Sequence, residues 1–377
     1  MSTLKVGAIR GVSASSDAIT VANDGTCTGN ITNNLSNRNL VINGSQIIDQ
    51  RNSGSAVTVS NATKTYVTDR FSFYEDTDGV ISAQQSTTSP DGFTKSIKVD
   101  CTTADTSLSA NQRLVYEHRI EGNNIAHLGF GSSAAKTITL SFYVRSNLTG
   151  TFGGSIKNDS SNRVYVFSYV INSANTWERK TITIPGDTSG TWETDTTAGI
   201  NINWGLALGS NWTGAAGSYG TSDKHGVTGQ LNLLSSTDNE WLITGVQLEV
   251  GSHATDFEHR SLTQELALCQ RYYYKHAEGA SKDMGVGAYY TATLFAFSIK
   301  FPVTMRAAPT LDYVSGTNYY QIFHNNTNDL FDAFAITRNQ ENCAAFDSST
   351  GTSGVQGSGG ILNTANASSY VALNAEL

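Results

Sequence analysis

Residues 137–145 read T-I-T-L-S-F-Y-V-R, and residues 163–171 read R-V-Y-V-F-S-Y-V-I. Side chains alternate across a strand with period two, so Ile138, Leu140, Phe142 and Val144 share one face of the first segment. In the second, Val164 and Val166 alternate with Tyr165, Phe167 and Tyr169, and both faces are apolar. Outward from this pair, similar runs predict strands at Tyr66 to Tyr74, Ser96 to Asp100, Arg113 to Ile120, Trp177 to Ile184, Ile200 to Leu208 and Trp241 to Val250. Turn signals fall between them, at Asp78-Gly79, Pro90-Asp91-Gly92 and Pro185-Gly186. Many short strands without intervening helices predict an all-β protein, most simply a jelly-roll-like antiparallel sandwich over residues 41–260.

Composition agrees. Ser, Thr, Asn and Gly number 42, 45, 31 and 35 of 377 residues, while charged residues are 15%. Thr and the aromatic residues favour strands, and Asn, Ser and Gly favour turns. Four prolines and 10% aromatic content argue against disorder. A net charge of −8 removes the electrostatic basis for sequence-independent nucleic-acid binding. Met1 to Thr20 holds no continuous apolar core of a signal peptide, and runs such as Leu294 to Phe297 are too short to span a bilayer, so synthesis in a cytosol without membrane insertion is expected. Cys27, Cys101, Cys269 and Cys343 lie far apart without metal-ligand spacing and read as free thiols.

Residues 1–40 alternate weakly and contain no aromatic residue, so this segment cannot close a core alone and is expected to lie against another surface, with a flexible tail as the alternative. Residues 261–276 break the β pattern. Ser261-Leu262-Thr263-Gln264 has the form of a capping box, and Leu262, Leu266, Cys269 and Tyr273 recur at helical spacing. Two roles are open for this helix: a connector packed on a neighbouring domain, or an oligomerisation seam where three copies meet. Strand signals resume at Ala288 to Phe301, Thr310 to Val314, Tyr319 to His324, Ala333 to Thr337 and Ser369 to Ala375, predicting a smaller C-terminal β-sandwich over residues 277–377.

Chemistry is sparse. Glycan hydrolysis needs two carboxyls across a cleft. Glu75, Asp76, Asp78, Glu117, Glu240, Glu249, Asp256 and Glu258 are available, but sequence cannot place any two of them opposite each other. His253, Asp256, Glu258 and His259 form the densest titratable cluster, read as a polar network at the junction of sandwich and helix, with a metal or acid-base site as the alternative. No nucleophile elbow, phosphate loop, zinc pattern or dinucleotide fingerprint is present, so no catalytic residue, metal site or cofactor is assigned.

All five tryptophans, Trp177, Trp192, Trp204, Trp212 and Trp241, fall within one interval. Trp204 and Trp241 sit in apolar alternation and are expected in the core. Trp192 and Trp212 sit in loops rich in Thr, Gly and Ser, with Tyr219 close by. A sugar ring stacks its apolar face on an aromatic side chain while Asn, Asp and Ser bond its hydroxyls, so Trp192, Trp212 and Tyr219 are the glycan-binding candidates. A loop anchored by its own tryptophan, or a contact between subunits, is the alternative.

Two stretches carry a resemblance. Residues 37–54 read N-R-N-L-V-I-N-G-S-Q-I-I-D-Q-R-N-S-G, followed by Y-V-T-D-R-F-S-F at 66–73, and residues 246–275 read V-Q-L-E-V-G-S-H-A-T-D-F-E-H-R-S-L-T-Q-E-L-A-L-C-Q-R-Y-Y-Y-K. Both resemble a recurrent pattern in tail fibres and related receptor-binding proteins of tailed bacteriophages, especially those of aquatic hosts. The run F-S-I-K-F-P-V-T-M-R-A-A-P-T at 297–310 and the opening S-T-L-K-V at 2–6 are similar to the same group. The resemblance implies a virion protein exposed on the particle, usually a homotrimer, with residues 1–40 held by other virion proteins and the β-domains turned toward a host surface polysaccharide. It transfers no catalytic site. A non-adhesive head fibre, decoration protein or tail adaptor, and a capsule-degrading glycosidase, are the competing expectations.

Overall fold

The computed structural model describes residues 6–10, 12, 19–21, 27–29, 37–60 and 62–377. The two opening strands lie in opposite layers. Ile138–Ser146 belongs to a six-stranded antiparallel sheet ordered Glu178–Ile184, Ile138–Ser146, Glu240–Val250, Ser96–Thr103, Val80–Ser86, Val57–Val59. Val164–Ile171 belongs to a seven-stranded sheet ordered Tyr219–Gly220, Val164–Ile171, Gly150–Lys157, Ala198–Leu208, Arg113–Glu121, Phe71–Glu75, Lys64–Thr68. Their inward side chains meet in one core. The Phe142 ring stands edge-on to Trp204 at 5.7 Å and to Tyr169 at 5.1 Å, and Tyr116 meets Trp241 at 5.8 Å. Trp204 and Trp241 are fully buried, as the alternation requires. The chain is thus an all-β antiparallel sandwich protein, with one α-helix among the described residues.

Several boundaries differ from expectation. The run Tyr66 to Tyr74 is two strands of a hairpin, Lys64–Thr68 and Phe71–Glu75, turning at Arg70 with φ of 72°. Arg70 is buried, and its guanidinium bonds Glu376 and lies 3.5 Å from the Tyr272 ring centroid. Ala288 to Phe301 likewise folds back, as Asp283–Thr291 and Leu294–Lys300. Gly150–Lys157 was not expected. Its consecutive glycines suit a crowded place: a Cβ at Gly154 would overlap the Phe167 ring, and one at Gly153 would collide with the backbone of Val227.

The helix runs Leu262–Gln270, with both bonds of the Ser261 and Gln264 capping box formed. It stops short of the expected His276. Tyr273 begins the strand Tyr273–Glu278, paired with Tyr370–Asn374, because tertiary burial of the tyrosines overrides the helical spacing. The expected seam Leu262, Leu266, Cys269, Tyr273 is therefore not one helical stripe. Leu262 is 61% exposed, Leu266 is partly buried, and Cys269 is buried with Ile42, Ile48 and Tyr272 of its own chain. Arg260 donates to the Val41 carbonyl at 3.1 Å, and Glu258 accepts from the Asn39 amide at 2.8 Å, so polar bonds join this region to the sandwich.

The remaining strands form a second core between a three-stranded sheet, which adds Thr310–Tyr313, and a seven-stranded one. Phe297, Phe334, Phe346 and Tyr320 fill it with mutual ring contacts. Bonds at the entry to this unit and around residues 375–377, among others, tie it to the first. The Glu121 carboxylate accepts from Arg271 at 2.7 and 2.9 Å and from the Tyr272 hydroxyl at 2.7 Å. Arg306 donates to the carbonyls of Thr196, Ala375 and Glu376 at 2.7–2.9 Å. The expected attachment segment 1–40 falls largely outside the described residues. Those described there include the short antiparallel strands Ala8–Ile9, Ile19–Val21 and Cys27–Gly29.

Candidate functional site

On the seven-stranded sheet, every second residue points away from the core, and here that face is polar. Ser72 pairs with Glu117, Glu117 with Asn203, and Asn203 with Ser155, a row across four strands. The next row holds Arg119, Asn201 and Lys157. Lys64 and Tyr74, paired on the last two strands of the sheet, border the first row on the side away from Arg119. The segment after Gly209 crosses this face, coming close over Gly153, and brings Trp212, Asp223 and His225 to its edge. Between them lies a cleft of about 400 Å³, in the size range of saccharide and small-ligand sites.

Its electrostatics are organised around Glu117. The carboxylate lies 2.6 Å from Lys64 Nζ and 3.4 Å from Arg119 Nε, and accepts from the Ser72 hydroxyl at 3.2 Å. Burial works against its ionisation, but Arg119 and Lys64 outweigh burial and hold its pKa below the usual carboxylate value. Lys157 reaches Asp223 at 2.7 Å. Burial depresses the pKa of Lys64 and of Lys157, with the neighbouring carboxylates opposing it. His225 lies 2.9 Å through Nε2 from Arg113 Nη1, and burial, reinforced by Lys157 and Arg113, keeps it neutral. A guanidinium only donates, so Nε2 accepts and the ring proton sits on Nδ1. Arg113 is clamped between aromatic faces, its guanidinium carbon 4.4 Å from the Tyr74 ring centre and 3.9 Å from that of Trp212.

Of the three residues expected to bind glycan, Trp192 and Tyr219 pack together and Trp212 lies apart from them. Trp192 is only 6% exposed; its indole nitrogen donates to Asp187 at 3.2 Å and Ser189 at 3.3 Å, and its ring meets Phe130 edge-on. It anchors its own loop and offers no stacking face. Tyr219 packs against Trp192 and Tyr165 and donates to the Pro185 carbonyl, away from the cleft. Trp212 stands behind the cleft lining, its ring against Arg113 and His225, and its nitrogen donates to the Asn111 carbonyl at 2.6 Å. The structure places it as a wall that orders Arg113. Lys64, Arg113, Arg119 and Lys157 were not singled out from sequence, because they come from three separate strands. One signal was available: R-L-V-Y-E-H-R at 113–119 alternates Arg113, Val115, Glu117 and Arg119 on one face, against the buried Leu114, Tyr116 and His118.

No protein-family model and no curated protein matches the chain. Among solved structures, the enzymatically active domain of bacteriophage CBA120 tailspike protein 4 is similar over 56% of this chain at 12% identity, with a TM-score of 0.27. The match spans 21% of that tailspike chain. A family 11 carbohydrate-binding module from Clostridium thermocellum, in complex with a beta-1,3-1,4-mixed-linked tetrasaccharide, is similar over 53% of this chain and 100% of its own, at 13% identity and a TM-score of 0.26. TmCBM61, in complex with beta-1,4-galactotriose, covers 57% of this chain and 99% of its own, at 8% identity and a TM-score of 0.27.

Proposed function

We propose that this chain is a bacteriophage fibre protein that adheres to a host surface glycan through the cleft of its first sandwich. The cleft carries the binding half of this reading: it joins charged groups with the Tyr74 and Ser161 hydroxyls over a sheet, a lining suited to sugar hydroxyls and their substituents. The virion half rests on the resemblance of residues 37–54 and 246–275. These stretches are structural partners in the fold. Asn39 donates to the Val246 carbonyl at 3.2 Å and accepts from the Leu248 amide at 3.1 Å, and the Asn43 amide donates to Glu265 at 2.5 Å.

The proposed action is adhesion without bond cleavage. Glycoside hydrolysis needs a carboxyl kept protonated near neutrality, and Glu117 is held the opposite way. Weak binding to a repeated glycan becomes firm attachment when multiplied over three copies and many fibres. The test is affinity electrophoresis of the purified chain through gels containing host surface polysaccharide, beside immunogold labelling of intact particles. Retardation with labelled fibres is expected. Labelled particles without retardation would favour the non-adhesive structural role, and depolymerised glycan would favour the enzyme.

A further inference from the structure

We propose that the ligand of the cleft is an acidic saccharide, one whose sugar units carry carboxylate or sulfate groups. This inference rests on the adhesive reading above and narrows its ligand. The cleft is lined by Lys64, Arg113, Arg119 and Lys157 against the carboxylates of Glu117 and Asp223, within a chain of net charge −8. Positive charge is concentrated where the protein as a whole is negative.

The internal partners do not use up this charge. Glu117 is shared between Lys64 and Arg119, and Asp223 is engaged by Lys157. Outside the cleft, Arg113 has Asp76 at 3.8 Å, and Lys64 also donates to an oxygen of Leu377 at 3.3 Å. Arg119 has Glu117 as its one ion-pair partner among the described residues, through Nε. Its two terminal nitrogens make no hydrogen bond among the described residues, and about a third of its side chain is open to solvent. A planar fork with two free donors matches a carboxylate or a sulfate face to face. Burial lowers the pKa of both lysines despite their carboxylate partners, so each ammonium is under-compensated, and an anion entering the cleft would restore the balance.

The full chain is run by affinity electrophoresis against polygalacturonate, polysialic acid and dextran sulfate, with carboxyl-reduced polygalacturonate and unmodified dextran as neutral counterparts. Binding to at least one acidic polymer should exceed binding to its neutral counterpart by at least tenfold and weaken as salt is raised. Arg119→Gln and Lys157→Gln should each reduce it at least fivefold, while Lys282→Gln on the second unit leaves it unchanged. Arg119→Gln removes no hydrogen bond from the fold, so it keeps the test open if Lys157→Gln fails to fold. The polygalacturonate and dextran sulfate arms separate carboxylate from sulfate recognition. Equal binding of neutral and acidic polymers overturns the acidic ligand and leaves glycan adhesion standing. Binding of none overturns both. Loss with Lys282→Gln equal to that with Arg119→Gln reduces the effect to diffuse charge and overturns the site.

Discussion

Replacing Trp192 by Ala separates a loop anchor from a sugar platform. In the structure the indole is nearly enclosed, edge-on to Phe130 and Tyr219, and its nitrogen donates to Asp187 and Ser189. Truncating a buried aromatic side chain to Ala costs about 3–5 kcal/mol through lost transfer energy and the cavity left behind. Asp187 keeps its two bonds from Arg163, at 2.6 and 2.7 Å, so its charge stays paired and adds little to the loss. For a domain of this size, each kcal/mol lowers the melting midpoint by about 2–4 °C, giving a fall of about 6–20 °C. Trp192→Phe retains most of the packing and forfeits two long hydrogen bonds, a loss of about 1 kcal/mol. Urea unfolding of the parent and both variants, followed by tryptophan fluorescence and circular dichroism, measures the differences. Glycan retardation of Trp192→Phe should match the parent. A Trp192→Ala variant of unchanged stability that no longer binds glycan would show that the indole is a binding surface and refute this reasoning.

Four further outcomes are expected. Asp69 is fully buried, and burial, opposed by Arg51 and the Gln50 bonds, raises its pKa from 3.8 to about 6. Its stabilising contribution, about 3 kcal/mol, is therefore complete below about pH 4 and lost as pH rises through about 6. Asp69→Asn should flatten the pH dependence of unfolding free energy in that window, and an unchanged slope would contradict it. Glu121→Gln leaves Arg271 without its carboxylate at the junction and should cost about 1–3 kcal/mol, read as earlier or split thermal unfolding in calorimetry. Gly153→Val should displace the covering segment, giving faster proteolysis within residues 209–230 and loss of glycan retardation with the rest of the fold retained. Light scattering of the purified chain should give three copies; a stable monomer would contradict the trimer.

The layered fold was legible because its signals are local. The period-two runs at 137–145 and 163–171 each carry their inward face in alternate residues of one short stretch, and the buried Phe142 and Phe167 follow from them, as Trp204 follows from the run at 200–208. Boundaries set by long-range contacts were not. Nothing near Arg70 marks a turn, since what holds it there is Glu376, some three hundred residues away. The helix overshot because Tyr272 and Tyr273 keep helical spacing while their burial is decided by partners elsewhere, Glu121 for one and Asp312 for the other. The cleft shows the same limit. Trp212 backs Arg113 near the cleft, but Lys64, Arg119 and Lys157 become neighbours only through strand register.

The doubled tie between the two β units bears on how a load would travel through the protein. Arg271 and Tyr272 hold the entry to the second unit, and Arg306 and Arg70 hold the segment that leaves it. A body hung from a single strand can swivel about it, whereas one held at two separated points resists both twist and bending. A tug on the second unit is therefore shared by two bonded routes into the first sandwich, and tension reaches the sheet that forms the cleft without an intervening free joint.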